Sequence, residues 1–266
     1  MAGMSSAFVR ALGARVVARR ALGGGSLGEV HALTLDDGRR VVLKRDPRAG
    51  AEARMLRLIR ATGCPAPEVL VEDDDAVLMT ALPDGGRPGP DAWAAAGRAI
   101  ALLHGATGDV PGWSADHGFG PVAIPNAPAP DWPSFWADRR LRPLAPPDIA
   151  PRIEALVARL PDLLPRDPRP ALLHGDLWSG NLLFGPDGFS GVIDPACFHG
   201  DAEVDLAMLT LFGAPDPAFA EAYGPLPDGW AARRPIYQLW PALVHLRLFG
   251  GGYRGLVNRL LDAAKV

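Results

Sequence analysis

The chain of 266 residues has only two cysteines, Cys64 and Cys197, widely separated. They imply no disulfide framework, and a reducing cytoplasm is the expected setting. No apolar run approaches the about 18 residues of a membrane span. A secretory signal is also missing, because no long apolar stretch stands near the start. The first acidic residue is Glu29, after Arg10, Arg15, Arg19 and Arg20. A transit peptide can look like that, but here the segment runs straight into a strand-like stretch. Charged residues are 21% and the formal net charge is −3, so there is no basic excess to draw nucleic acid or an anionic membrane. His104, His117, His199 and His245 lack the spacing of a zinc site. Lysine is scarcest of all: Lys44 and Lys265 stand against 25 arginines, and asparagine occurs only at positions 126, 181 and 258. In such a chain an internal lysine marks a place where arginine would not serve.

What is present divides into two patterns. Residues 1–82 read as a small five-stranded sheet with one helix. Strands are expected at 16–21, 30–35 and 41–44, with "DDG" at 36–38 as a hairpin turn. A helix follows at 49–63, with Met55, Leu58 and Ile59 on one stripe, then strands near 68–72 and 76–80. "PDGGRPGP", 83–90, is a linker. Residues 83–266 turn helical: 91–106, two helices within 131–160, one at 202–213 and another over 230–261. A proline-rich loop is expected at 108–130 and short strands over 171–194. With 48% hydrophobic residues, the chain can bury a sizeable core as a two-lobed α+β protein.

Several residues match what phosphoryl transfer from ATP needs, which is positioning and charge neutralisation more than covalent chemistry. "GGGSLGE", 23–29, could bring backbone N–H groups against phosphate oxygens, with Gly24, Gly25 and Ser26 at its centre. Lys44 ends a strand and could reach α- and β-phosphates. Glu52 could hold it by an ion pair. In "LLHGDLWSGN", 172–181, the Asp176 carboxylate can take a proton from an attacking hydroxyl. The Asn181 amide oxygen can bind magnesium without adding charge. Asp194, at the end of an apolar strand, would be a second magnesium ligand. At an ordinary carboxylate pKa of about 3.9, Asp176 would be ionised at neutral pH.

"HGDLWSGN" with "IDPA" resembles the fructosamine kinase (ketosamine kinase) family, which shares the aminoglycoside phosphotransferase, protein-kinase-like fold. The likeness extends over "GGGSLGEV", "AEARMLRLI", "DWPSFWADRRLRPL", "HGDAEVDLAMLTLFG" and "LVHLRLFGGGYR". It implies ATP and Mg2+ as cofactors and the C3 hydroxyl of a ketosamine, free or on protein, as acceptor. Asp176 would be the catalytic base, Asn181 and Asp194 the metal ligands, and Lys44 the phosphate contact paired with Glu52. "VLMTAL" takes the place of the hinge, so Thr80 and Leu82 would meet the adenine edge beside Met79. Where some relatives carry a redox-active cysteine in the glycine loop, this chain has Ser26.

Other residues admit two readings. His174 would order the catalytic loop, Asp205 would brace that loop or cap a helix, and Asp201 would cap the same helix start. Trp178 is either core packing or a wall for a sugar ring. Trp132, Phe135 and Trp136 form an aromatic stripe, of which Trp136 is a candidate substrate contact. Arg139, Arg140 and Arg142 read as a solvated face. Two other functions remain open: a phosphotransferase for an aminoglycoside, choline or a hydroxy amino acid, and a nucleotide-binding module without catalysis. The sugar, the amine and the oligomeric state are not legible.

Overall fold

The computed structural model describes residues 6–23 and 29–266. Gly24, Gly25 and Ser26 of the glycine loop lie outside the described residues. Helix α1 (Ser6–Leu12) leads into a five-stranded antiparallel sheet. Its strands are β1 (Val16–Ala21), β2 (Glu29–Leu35), β3 (Arg40–Arg45), β4 (Val69–Glu72) and β5 (Ala76–Thr80), in spatial order β1-β2-β3-β5-β4. Helix α2 (Ala49–Ala61) connects β3 to β4. The β2–β3 turn works through Gly38, whose φ of +87° suits a residue without Cβ and lets its N–H reach Leu35 O at 3.0 Å.

Alternation of side chains along each strand gives the sheet two apolar faces. Leu33, Leu35, Val41, Leu43, Ala76 and Leu78 turn one way and are covered by Phe8 and Leu12 of α1. Val77 and Met79 turn the other way, toward Ala53, Leu56 and Ile59 of α2. The second core does not stop at the sheet. It continues through Ile100, Leu103, Leu177, Leu182, Val192 and Cys197, so α2 is packed into the C-terminal half as well. Lys44 neighbours Leu43 on β3 and therefore points to the α2 side.

The C-terminal lobe begins with α3 (Pro90–Gly105), which carries proline in its first turn. A hairpin of β6 (His117–Phe119) and β7 (Val122–Ile124) lies inside the stretch expected to be loop. Next come α4 (Trp132–Trp136), α5 (Ala150–Val157) and α6 (Leu160–Leu163). Four short strands follow: β8 (Ala171–Leu173), β9 (Leu182–Gly185), β10 (Gly188–Val192) and β11 (Phe198–Gly200), the last paired with β8. The lobe closes with α7 (Glu203–Leu209), α8 (Pro217–Tyr223), α9 (Trp230–Phe249) and α10 (Arg254–Ala263). The single helix expected over 230–261 is divided at Gly250, whose φ of +81° ends α9. Among the described residues no helix is long and apolar enough to cross a membrane.

The stretch 131–144 is three segments rather than one regular helix. After α4 the turns widen into a π-helix at Ala137–Leu141 and tighten to a 3-10 turn at Arg142–Leu144. Arg140, expected on a solvated face, is completely buried. Its guanidinium sits 4.2 Å from the Phe198 ring centre and 4.7 Å from that of Trp240, and donates to Pro125 O and Asn126 Oδ1. Burial, aided by neighbouring Arg139, pushes its pKa down to about 9. Cation–π contact and carbonyl acceptors replace the missing carboxylate partner.

Phe8 is 2% exposed and closes the outer core of the sheet. We expect Phe8→Ala to lower the free energy of unfolding by about 3 kcal/mol, read from urea denaturation. A loss below about 0.5 kcal/mol would mean that α1 is not part of the folded lobe.

Candidate active site

Three pieces of chain converge between the lobes. The first is the end of β3 with α2 behind it. Lys44 Nζ lies 2.6 Å from Glu52 Oε2 and donates to Asp194 Oδ1 at 2.7 Å. The lysine is thus shared between a carboxylate of its own lobe and one of the other. Burial penalises its charge, but Glu52 and Asp194 outweigh that and push the ammonium up to about 12. It stays charged at any physiological pH.

The second piece is the turn after β8. Gly175 has φ +78°, and a Cβ there would fall 2.0 Å from Ala196 O, so only glycine fits. This tight turn aims the His174 and Gly175 N–H groups at Asp205 (2.6 and 2.9 Å). Asp205 therefore braces the loop, and a helix-capping role is not needed to explain it. His174 Nδ1 accepts from the Asp176 N–H at 3.3 Å, so its Nε2 carries the proton and donates to Ile193 O at 3.0 Å. His174 thus ties Asp176 to the residue before Asp194. Asn181 Nδ2 donates to Asp176 O at 2.8 Å and to Asp176 Oδ2 at 3.0 Å.

The third piece is the bend after β10. Asp194 adopts φ 54°, a left-handed conformation that aspartate tolerates better than most residues. The bend presents its carboxylate to Lys44.

This geometry suits a magnesium ion. Because Asn181 commits its NH2 to Asp176, the amide oxygen is the atom left for a cation. Asp194 uses Oδ1 for Lys44 and keeps Oδ2. No group of three His, Cys, Asp or Glu side chains among the described residues is placed to hold a metal. One carboxylate and one amide oxygen are a fitting partial set for magnesium, which takes its other ligands from phosphates and water.

Asp176 departs from the ordinary carboxylate expected of it. Burial pushes its pKa up to about 7. The Asn181 hydrogen bond opposes this, and the charges of Asp194 and Asp205 reinforce it. Such a carboxylate can both take and release a proton near neutrality.

The two tryptophans separate. Trp178 is 39% exposed, which rules out core packing. Its ring lies over Gly180, where a Cβ would come within 2.3 Å of it. Trp136 is 0% exposed and enclosed by Trp132, Tyr237 and Trp240. The expectation that it touches substrate fails, since no part of the ring reaches solvent. Met79 is buried under the sheet, while Thr80 and Leu82 are half-buried at its end. Asp201 accepts from the Glu203 N–H at 3.0 Å, as a cap should, and also from the Tyr237 hydroxyl at 2.6 Å.

One contact had no signal in the sequence. Arg48, just before α2, donates to Gly118 O at 2.6 Å and so ties the helix carrying Glu52 to the β6–β7 hairpin.

The fold and this crevice define a two-lobed kinase-like protein. A fructosamine kinase family model matches residues 4–265, and the chain belongs to that family. It is 34% identical over 278 residues to a probable ketoamine kinase of Klebsiella aerogenes, covering 95% of this chain and 94% of that protein. A match to a probable ketoamine kinase of Synechocystis covers 63% of that relative. A crystal structure assigned as a fructosamine-3-kinase, from Thermobifida fusca, aligns with TM-score 0.88 and 34% identity over 98% of this chain and 99% of that one. The macrolide 2′-phosphotransferase MphH of Brachybacterium faecium aligns with TM-score 0.64 and 17% identity over 96% of each chain, which bears on the fold alone.

The Arg48 contact also predicts an acid sensitivity. Burial, with the nearby Arg48 charge, pushes His117 down to about 4. Between that value and its unfolded pKa of about 6.5, the unfolded chain binds a proton that the folded chain refuses. Stability is therefore full above pH 6.5 and falls as pH drops toward 4, by about 3 kcal/mol for this residue. His117→Gln should flatten the slope of unfolding free energy between pH 7 and 4.5. An unchanged slope would show that His117 is accessible to protons in the folded state.

Proposed function

We propose that this chain is an ATP-dependent kinase that phosphorylates the C3 hydroxyl of ketosamines, such as fructosamine or ribulosamine adducts, and so begins their deglycation. The observation that carries this reading is the contact of Lys44 with both Glu52 and Asp194, beside the Asp176–Asn181 pair, in a chain of this family. The lobes would meet after Leu82, with 1–82 holding the nucleotide and 83–266 the acceptor. The Thr80 N–H and hydroxyl are committed to Glu68, so the Thr80 carbonyl and the Leu82 N–H would meet the adenine edge, with Met79 beneath.

Asp176 would orient the acceptor hydroxyl and take its proton as the oxygen attacks the γ-phosphorus. The bond to the bridging β,γ-oxygen breaks and ADP leaves. Lys44 would hold the phosphates, leaving Asp194 free to turn toward the cation. Asn181 and Asp194 would hold magnesium, which when bound neutralises charge on the transferring group. The exposed ring of Trp178 offers an apolar face to the sugar. The 3-phosphate product is unstable and sheds the sugar, which restores the amine. Both cysteines are buried and unpaired, as suits a protein of the reducing cytoplasm.

A coupled assay of ADP release tests the reading across fructosamine, ribulosamine, aminoglycoside, choline and hydroxy amino acid acceptors. Turnover is expected with a ketosamine. Turnover only with another acceptor would replace the substrate, and none with any would favour a non-catalytic module. Asp176→Asn should lower kcat by 100-fold or more, in line with the ~10²–10⁴ supplied by a general base. A variant retaining wild-type kcat would remove Asp176 from that role. Lys44→Met should weaken ATP use most at limiting ATP.

A further inference from the structure

The first turn of α2 is fastened from two sides. Within its own lobe, the Asp46 carboxylate accepts from the Arg48 N–H at 2.7 Å and from its guanidinium Nε at 3.1 Å. The Asp46 N–H in turn reaches Asp75 O, between β4 and β5, at 2.9 Å. From the other lobe, two carbonyls of the β6–β7 hairpin face the same guanidinium. Arg48 Nη1 donates to Gly118 O at 2.6 Å and, more weakly, to Gly120 O at 3.4 Å. A Cβ at Gly118 would lie 3.0 Å from that nitrogen, so the close approach uses the missing side chain. The hairpin is a firm anchor, because Val122 and Ile124 are buried in the same core as Trp240. Arg48 then passes its position on. Its carbonyl accepts the Glu52 N–H at 3.0 Å, and Glu52 Oε2 meets Lys44 Nζ at 2.6 Å.

We propose that Arg48 is a positioning residue for phosphoryl transfer: by fixing the first turn of α2 to the β6–β7 hairpin, it sets the place of Glu52 and, through Glu52, of the Lys44 ammonium. Ala53, Leu56 and Ile59 hold α2 near the sheet by apolar contact, which has no preferred direction. Glu52 stands ahead of that stripe, in the turn where the polar tie is directional. Arginine suits the task, since its fork serves Asp46 and two carbonyls at once, whereas a lysine ammonium is a single point of charge. Asp176 and Asn181 are held to each other within their own turn. Loss of Arg48 therefore disturbs the Lys44 side of the crevice and leaves the Asp176 side in place. This rests on the kinase reading above for its kinetic readout, but not for its chemical one.

Three variants and two measurements test it. Arg48→Leu removes the side-chain ties, Arg48→Lys keeps one donor, and Gly118→Ala crowds the guanidinium from the hairpin side. The first measurement is the rate at which an N-hydroxysuccinimide ester acylates Lys44, read by mass spectrometry without nucleotide or acceptor. The chain has only one other lysine, Lys265, which is exposed and serves as the internal reference. Only the uncharged amine reacts, and Glu52 helps keep Lys44 charged. Arg48→Leu should speed Lys44 labelling relative to Lys265 by about fivefold or more. Arg48→Lys should fall between Leu and wild type, and Gly118→Ala should give about a twofold rise. The second is steady-state kinetics with an active acceptor. Arg48→Leu should raise KM for ATP about 10-fold, with KM for the acceptor within about twofold of wild type. Arg48→Lys should recover part of the ATP affinity.

The proposal is overturned if Lys44 labelling in folded Arg48→Leu matches wild type. It is also overturned if KM values for ATP and acceptor rise together in step with a lower urea midpoint, which would mark a purely structural role. Should Arg48→Leu not fold, Arg48→Lys and Gly118→Ala decide: wild-type labelling in both overturns the proposal, and faster labelling in both upholds it. If wild type turns over no acceptor, the kinase reading fails, while the labelling result still decides whether Arg48 places Lys44.

Discussion

An ammonium group shared by two carboxylates from different lobes is the contact on which the arrangement of this protein turns. Lys44 reaches Asp194 across 150 positions of sequence and Glu52 across eight. Remove the cation and two carboxylates face each other in a partly dry crevice, where repulsion is poorly screened. The chemistry also explains why lysine persists in a chain that otherwise uses arginine. A compact ammonium can be shared between two carboxylates and handed on to phosphate oxygens. A planar guanidinium would favour a two-pronged grip on one partner.

Around that contact the two halves of the molecule are joined by packing as well as charge. Helix α2 belongs to the sheet by sequence, yet its apolar stripe runs into the core containing Leu177, Leu182 and Cys197. Arg48 adds a polar tie to the β6–β7 hairpin. Glu52 is therefore placed by the C-terminal lobe almost as much as by its own. On the other side, Asp205 gathers three polar partners and serves as the fixed point of the turn that carries Asp176. The Lys44 side and the Asp176 side of the crevice thus have separate supports, which meet at Asp194.

Much of this was legible in the residue pattern. Strand alternation, the "DDG" turn and the stripe of α2 all follow from period and turn chemistry, and they place Lys44 beside Glu52. The spacing of Asp176, Asn181 and Asp194 was readable because the intervening hairpin is short. What escaped has a physical reason in each case. Helix α1 is only seven residues, too short for a periodic signal, and forms because Phe8 and Leu12 cover the sheet. Strands β6, β7 and β11 have three residues each and exist through their partners. Arg140 looked solvated because sequence cannot show that three aromatic rings and three oxygen acceptors would enclose it. Trp136 looked available because an aromatic stripe reads alike whether it faces a core or a sugar. The raised pKa of Asp176 and the Arg48 link depend on burial and long-range contact, which local sequence does not encode.

The most direct measurement is a crystal structure with a non-hydrolysable ATP analogue and magnesium. The account predicts a metal ion at about 2.1 Å from both Asn181 Oδ1 and an oxygen of Asp194, with Lys44 Nζ on a phosphate oxygen and Asp176 facing the γ-phosphate. A metal bound without Asn181 and Asp194, or a nucleotide lying outside the crevice beside Lys44, would contradict it.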